Sequence, residues 1–378
     1  MRTLLGAIAV AASFVHTDTR TGQVQTLYTS PAHRTISAFA QDDGLVAWFA
    51  PTPSSKDCNR VWLWQLGAAR LPLPEQGAAY HNVTCGWQVP PNSPVGLAVA
   101  GNGGSPALLW TLHESASQAL RFDYLLGATA ADPRERRFQQ VAHASHGAGL
   151  WLGGVAGNGS TLVYAVAQVA YKDQVACLST PKTPGACALK IVGGGVYRIV
   201  GRTPPLRVGT SPSVGVAAFG DEFATVRAVG TATADGRPLA SASVPVEVRN
   251  SSTGDLVTTV TPTSAPVAIA LSGSALALLG RSGNRLVLDW YDLTTGTPLG
   301  SLRLPKGAAS TISIGDRVIV FRVGRSIRTV NIATEHVATV AKAASTPVGL
   351  SISGERIAWA ENVDGRGRIR AVTLAATP

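Results

Sequence analysis

What this chain of 378 residues lacks first is any pattern for a helix. Only 14% of its residues are charged, there is one methionine, and no stretch repeats apolar residues at helical spacing over several turns, which excludes a helix-built domain. Catalytic signatures are missing as well. No nucleophile elbow, phosphate-cradling glycine loop or H-E-x-x-H can be found. The runs Gly193–Gly195 and Gly101–Gly104 sit between expected strands with no helix behind them, and so read as glycine-rich turns. Cysteines number four, none in a C-x-x-C pair and none with a histidine at ligand spacing, so a metal or redox centre is not expected. Glycine (40), proline (23) and a 45% hydrophobic content are plentiful. That balance describes many short strands, tight turns and ample core.

One segment recurs from end to end. It stands as P-V-G-L-S-I-S-G at Pro347–Gly354, P-V-G-L-A-V-A-G at Pro94–Gly101, S-V-G-V-A-A-F-G at Ser213–Gly220 and P-V-A-I-A-L-S-G at Pro266–Gly273. Weaker copies are Leu150–Gly157, Ala308–Gly315 and Thr35–Asp42, where Asp42 takes the place of the closing glycine. Small and β-branched residues suit an innermost strand crowded around an axis, and the closing glycine suits a turn with positive φ. A second apolar segment follows each copy. Outer strands are joined by T-G turns at Ser251–Val260 and Leu293–Leu302, and a third such turn, Thr19–Tyr28, precedes every copy of the motif.

These repeats predict an all-β fold, a seven-bladed β-propeller of four-stranded antiparallel blades with starts near 36, 95, 151, 214, 267, 309 and 348. The last blade lacks a fourth strand, which residues 23–29 supply, closing the ring and leaving no open sheet edge. Seven units of roughly 50 residues make residues 13–378 one repeat domain. Spacing and T-G turns resemble the TolB-like and YVTN-type bacterial β-propellers, a resemblance of architecture that implies no activity. The W-D pairs of WD40 blades, kelch glycine pairs, sialidase boxes and quinoprotein docking motifs are absent.

Residues 1–12 read as a signal peptide, with Arg2, an apolar run and small residues at Ala9–Ala12; the run is too short to span a bilayer. Cys58 with Cys85, and Cys177 with Cys187, each fall within one blade and are expected to form disulfides, which fits an extracytoplasmic site. Second-to-third and fourth-to-next-blade connections share one face. Those of the early blades are long (50–59, 170–191, 231–243) and the opposite face has minimal turns, so the loop-rich face is the expected functional surface.

Five histidines belong to that face by this reading: His33, His81, His113, His143 and His146. His113, Glu114, His143 and His146 are the weak candidates for an acid–base or ligand cluster, and the loop face around His81, His113, His143 and His146 the candidate binding region. The net charge of +10 favours acidic partners. Arg317, Arg322, Arg325, Arg328, Arg356, Arg366, Arg368 and Arg370 concentrate it in the last two blades. The resulting expectation is an exported, monomeric, non-catalytic propeller that binds or scaffolds a protein or an anionic polymer of the cell envelope, with no cofactor, metal, nucleic acid or transmembrane segment. A propeller lyase or hydrolase with a His/Glu site in the axial funnel is the alternative.

Overall fold

The computed structural model describes residues 22–51, 59–66, 96–101, 107–115, 120–129, 136–144, 148–179, 185–201, 203–233 and 238–375. Cys58, Cys85, His81, His146 and residues 1–12, expected to be a signal peptide, lie outside them. Strand β1 (Gln25–Thr29) precedes an antiparallel sheet of β2 (Ala38–Asp42), β3 (Leu45–Pro51) and β4 (Asn59–Gln65). Next come β5 (Leu97–Ala100), β6 (Ala107–Ser115), β7 (Leu120–Thr129) and β8 (Arg136–Ala144), then β9 (Gly149–Asn158), β10 (Thr161–Tyr171), β11 (Leu189–Arg198) and β12 (Leu206–Gly209). A five-residue helix, α1 (Gln174–Leu178), lies between β10 and β11. After β13 (Ser213–Phe219) and β14 (Glu222–Ala232), short β15 (Pro238–Ala240) pairs back on β14 before β16 (Val246–Asn250) and β17 (Leu256–Val260).

The remaining sheets are regular. They are β18 (Pro266–Leu271) to β19 (Ala275–Ser282), β20 (Arg285–Asp292) and β21 (Pro298–Arg303); β22 (Ala308–Ile314) to β23 (Val318–Val323), β24 (Ser326–Asn331) and β25 (Val337–Lys342); and β26 (Gly349–Ser353) to β27 (Arg356–Val363) and β28 (Arg366–Thr373), completed by β1.

The first strands contact one another in a closed cycle, β2 to β5, β9, β13, β18, β22, β26 and back to β2. Radial antiparallel sheets whose inner strands close a ring make this chain a β-propeller. Each is called a blade here and named by its inner strand. Apolar wedges fill the gaps between blades. Ile36, Phe39 and Trp48 on the β2 side meet Tyr28, Ala358, Ala360 and Ile369 of the β26 blade across the closing seam, and Trp290 packs with Ile319 and Phe321 between the β18 and β22 blades.

The seam joins the two ends of the chain. Gln25 pairs with Ala371 and Thr29 with Arg368. The Asn362 side chain both donates to the Ile36 carbonyl and accepts from the Ile36 amide, each at 2.8 Å. Nearer the axis, Gln41 Nε2 donates to the carbonyls of Ser351 and Arg356, both at 3.0 Å.

Two expectations about glycine are corrected. Among the motif glycines only Gly220 and Gly354 take positive φ. The others allow blades to approach: a Cβ on Gly157 would lie 2.4 Å from the Val99 carbonyl oxygen, and one on Gly273 would lie 3.1 Å from the Phe219 ring. Gly193–Gly195 is no turn, but lies inside β11. There the ladder with β10 slips by a residue between Gln168 and Val169, and a Cβ on Gly194 would lie 2.2 Å from the Val166 carbonyl oxygen. Glycine serves a bulge and close backbone packing.

Candidate functional site

The ring has two unlike faces. On one, the turn face, first-to-second and third-to-fourth strand turns are short. The third-to-fourth turns repeat one chemistry: Asn250 Oδ1 accepts from the amides of Ser252 and Thr253, Asp292 Oδ1 from those of Thr294 and Thr295, and Asn331 Oδ1 from those of Ala333 and Thr334. An acceptor side chain at the first turn position satisfies amides that the ladder leaves free.

The axial channel opens at this face. Its cavity of about 530 Å³ is lined by the closing residues of all the inner strands in the cycle. Among the described residues, Asp42, which ends β2, is the one channel carboxylate held by several blades. Its Oδ2 accepts from the backbone N–H of Gly101 at 2.9 Å and of Gly159 at 2.8 Å, and its Oδ1 from Asn158 Nδ2 at 2.9 Å. Asn158 Oδ1 in turn accepts from the Gly220 amide at 2.9 Å. One side-chain pair thereby bolts together the blades of β2, β5, β9 and β13.

Burial pushes the Asp42 carboxyl above its ordinary range, the amide bonds of Gly101 and Gly159 oppose that, and neighbouring Asp43 adds to it. With three donors on its oxygens, Asp42 acts as a structural acceptor. Sequence reading noticed Asp42 only as a departure from the glycine motif. That departure was the available signal, because an acidic side chain where its counterparts are glycine needs donors from somewhere.

On the opposite, loop face the β9 blade is the most elaborate. Here β10 and β11 run farther than the expected loop boundaries, to Tyr171 and from Leu189. The excursion between them carries α1, capped by Asp173, whose Oδ1 accepts from the Ala176 amide at 2.9 Å. Cys177 and Cys187 form a disulfide across it. Cross-linking ten residues apart removes about 3 kcal/mol of unfolded-state loop entropy in the chain-entropy model. Val175, on α1, is 79% exposed.

Of the histidine candidates, His33 is exposed in the β1–β2 connection with φ 62°. His113 and Glu114 lie in β6, and His143 in β8. The register keeps β7 between them: His113 pairs with Asp123, Glu114 with Phe122, and His143 with Arg121. His143 also bridges to Gly149 at the start of β9. Among the described residues, no group of three or more His, Cys, Asp or Glu is placed to hold a metal ion, and no helix is long and apolar enough to cross a membrane.

No family model matches the chain, and no curated protein matches it. Solved structures similar to it include TolB from Acinetobacter baumannii, 14% identical over 73% of this chain and 55% of that one with a TM-score of 0.38. BamB from Moraxella catarrhalis is 10% identical over 92% and 97% of the two chains, TM-score 0.40, and the Dos1 propeller 10% over 91% and 79%, TM-score 0.40. The fold stands on the strand pairings and the closed inner cycle, and no family membership follows from likenesses this distant: the chain is a β-propeller.

Proposed function

We propose that this chain is a seven-bladed, exported propeller of the TolB-like and YVTN-type kind, acting as a non-catalytic binding or scaffolding module of the cell envelope through its loop face. The observation that carries the reading is the stapled excursion of the β9 blade. A disulfide is retained in an oxidising compartment, and a cross-linked loop on a rigid ring presents its surface with less entropy to lose on binding. The partner is a protein or an anionic polymer, and the region around His81, His113, His143 and His146 belongs to the same proposed surface.

A photo-crosslinking residue placed at Val175 on the stapled loop, and separately at Thr294 on the turn face, tests this in intact cells. The expected result is one discrete adduct from Val175, weakened by Cys187→Ser, and none from Thr294. Equal adducts from both faces, or an adduct from Thr294 alone, would remove the loop face as the binding surface.

A further inference from the structure

The arginines of the last blades do not form one surface. Arg317 and Arg356 lie on the turn face beside Asp316 and Glu355. Arg317 is bound to Glu355 at 2.8 Å, and Arg356 is half-buried with its Nε 3.4 Å from Gln41 Oε1. Arg328, Arg368 and Arg370 are inside strands, and Arg370 pairs with the buried carboxylate of Glu361. What is left over gathers on the loop face.

In the β18 blade, Arg281 and Arg285 flank the second-to-third turn, and Arg303 and Lys306 sit at its exit; all four are exposed. The β22 blade repeats the arrangement with Arg322 and Arg325 at the turn and Lys342 at the exit. In the β26 blade Arg366 follows the turn, and its backbone bridges to that of Arg34 in the connection to β2. Asp364 is the single exposed acid among these loops. None of Arg281, Arg285, Arg303, Lys306, Lys342 or Arg366 makes an ion pair with a described residue.

A row of unpaired cations repels itself, and the backbone bridge holds two of them side by side. An external anion relieves that repulsion. The loops that carry the row expose a single large apolar side chain among the described residues, Val348 at 37%, too little for insertion into a bilayer, where basic residues work together with several apolar anchors. Because the turns are minimal and repeat from blade to blade, they offer a regular curved series of charges and no deep pocket. A linear polymer with a repeating negative charge fits such a series.

We infer that the loop-face edge of the β18, β22 and β26 blades is a binding arc for a linear polyanion bearing phosphate or carboxylate groups. The inference rests on the loop face being the binding face, and deepens it by assigning the blades and the chemical class of the partner. Arginine and lysine bind such groups by charge-assisted hydrogen bonds, and the release of counterions makes the affinity fall with salt.

The test uses the full chain, with linear polyphosphate, poly-L-glutamate and phosphatidylglycerol vesicles as separate probes. Two arc variants, Arg285→Gln with Lys306→Gln and Lys342→Gln with Arg366→Gln, are compared with Lys172→Gln plus Lys190→Gln, which removes the same charge from the β9 blade. All six side chains are exposed, so folding is expected to survive, and an unchanged melting transition checks this.

The expected result is binding of at least one polymer, weakened about tenfold by each arc pair and less than about twofold by the control, with the slope against salt shallower by about 1.4 in the arc variants. Preference between the two polymers assigns phosphate or carboxylate as the recognised group. Equal weakening by arc and control pairs, binding to vesicles without binding to either polymer, or no binding to any probe would overturn the arc. A discrete Val175 adduct persisting in those cases would leave the binding-module reading standing; loss of both would sink the two together.

Discussion

The β9 and β22 blades are made on the same four-strand plan and differ in what hangs from their loop face. In the β22 blade, Val323 passes to Ser326 through Gly324 and Arg325 alone. In the β9 blade the same passage holds a capped helix and a disulfide. Yet the inner strands of both join the one closed cycle, and their strands meet neighbours through apolar wedges of the same type. Ring integrity therefore resides in inner strands and inter-blade seams, and the loop face is free to vary. A short turn repeated over blades yields an ordered charge pattern, and a long stapled one a shaped surface.

The most damaging way to probe this division is at the seam. Deleting residues through Thr29 strips β1 from β28 and takes Tyr28 out of the wedge it packs in, uncovering the rest; the expected loss exceeds about 4 kcal/mol, read by chemical denaturation. A deletion that left the unfolding curve in place would show that the clasp is dispensable.

Next is Asp42→Ala, which leaves the amides of Gly101 and Gly159 and the Asn158 side chain without their acceptor and should cost about 2–4 kcal/mol. Its pH dependence has a definite sign. The folded-state pKa lies above the ordinary value of 3.8, so the proton-linked part of the Asp42 contribution is complete below that value and is lost as pH rises through the folded pKa. The gap between wild type and variant should thus be wider at about pH 4 than at about pH 7. A gap that widens toward neutral pH would contradict the direction of the shift.

Removing the staple with Cys177→Ser and Cys187→Ser should do less to the ring. Chain entropy sets a ceiling of about 3 kcal/mol, and fraying of the loop in the native state returns part of it, so a loss of about 1–2 kcal/mol is expected. Limited proteolysis should cut first between β10 and β11. Cleavage elsewhere, or a larger global loss, would mean that the loop supports the ring.

The smallest effect expected is a gain. Glu335 has φ 57°, at the turn position where Gly254 and Gly296 stand in the two preceding blades. Glu335→Gly should stabilise by about 1 kcal/mol, and a loss would show that the Glu335 side chain contributes more than its backbone costs.

Much of this architecture was legible in sequence. The recurring segments ending at Asp42, Gly101, Gly157, Gly220, Gly273, Gly315 and Gly354 are the inner strands, and the early T-G turn marked the strand that closes the ring. Local composition and turn chemistry act over a few residues, so a linear text can carry them. The T-G pattern failed in the β22 blade because Glu335 occupies the left-handed position, yet Asn331 preserves the turn through its side chain. The role of the motif glycines departs from the sequence expectation for a related reason. Positive φ is a property of one residue, whereas the 2.4 Å clearance at Gly157 belongs to two blades.

By itself, then, the sequence determined the all-β repeat, the strand-forming motif, the clasp and the pairing of Cys177 with Cys187, all set by spacing and composition along the chain. Only the tertiary structure decided that Asp42 reaches amides in two other blades, that Gly193–Gly195 lies within a bulged strand, and that the arginines of the last blades divide between a paired turn face and an unpaired loop face. Strand direction sorts residues only a few positions apart, such as Arg317 and Arg322, to opposite ends of one strand. The physical reason is that charge acts through space, and the face on which a charge emerges depends on how each strand is turned in the ring.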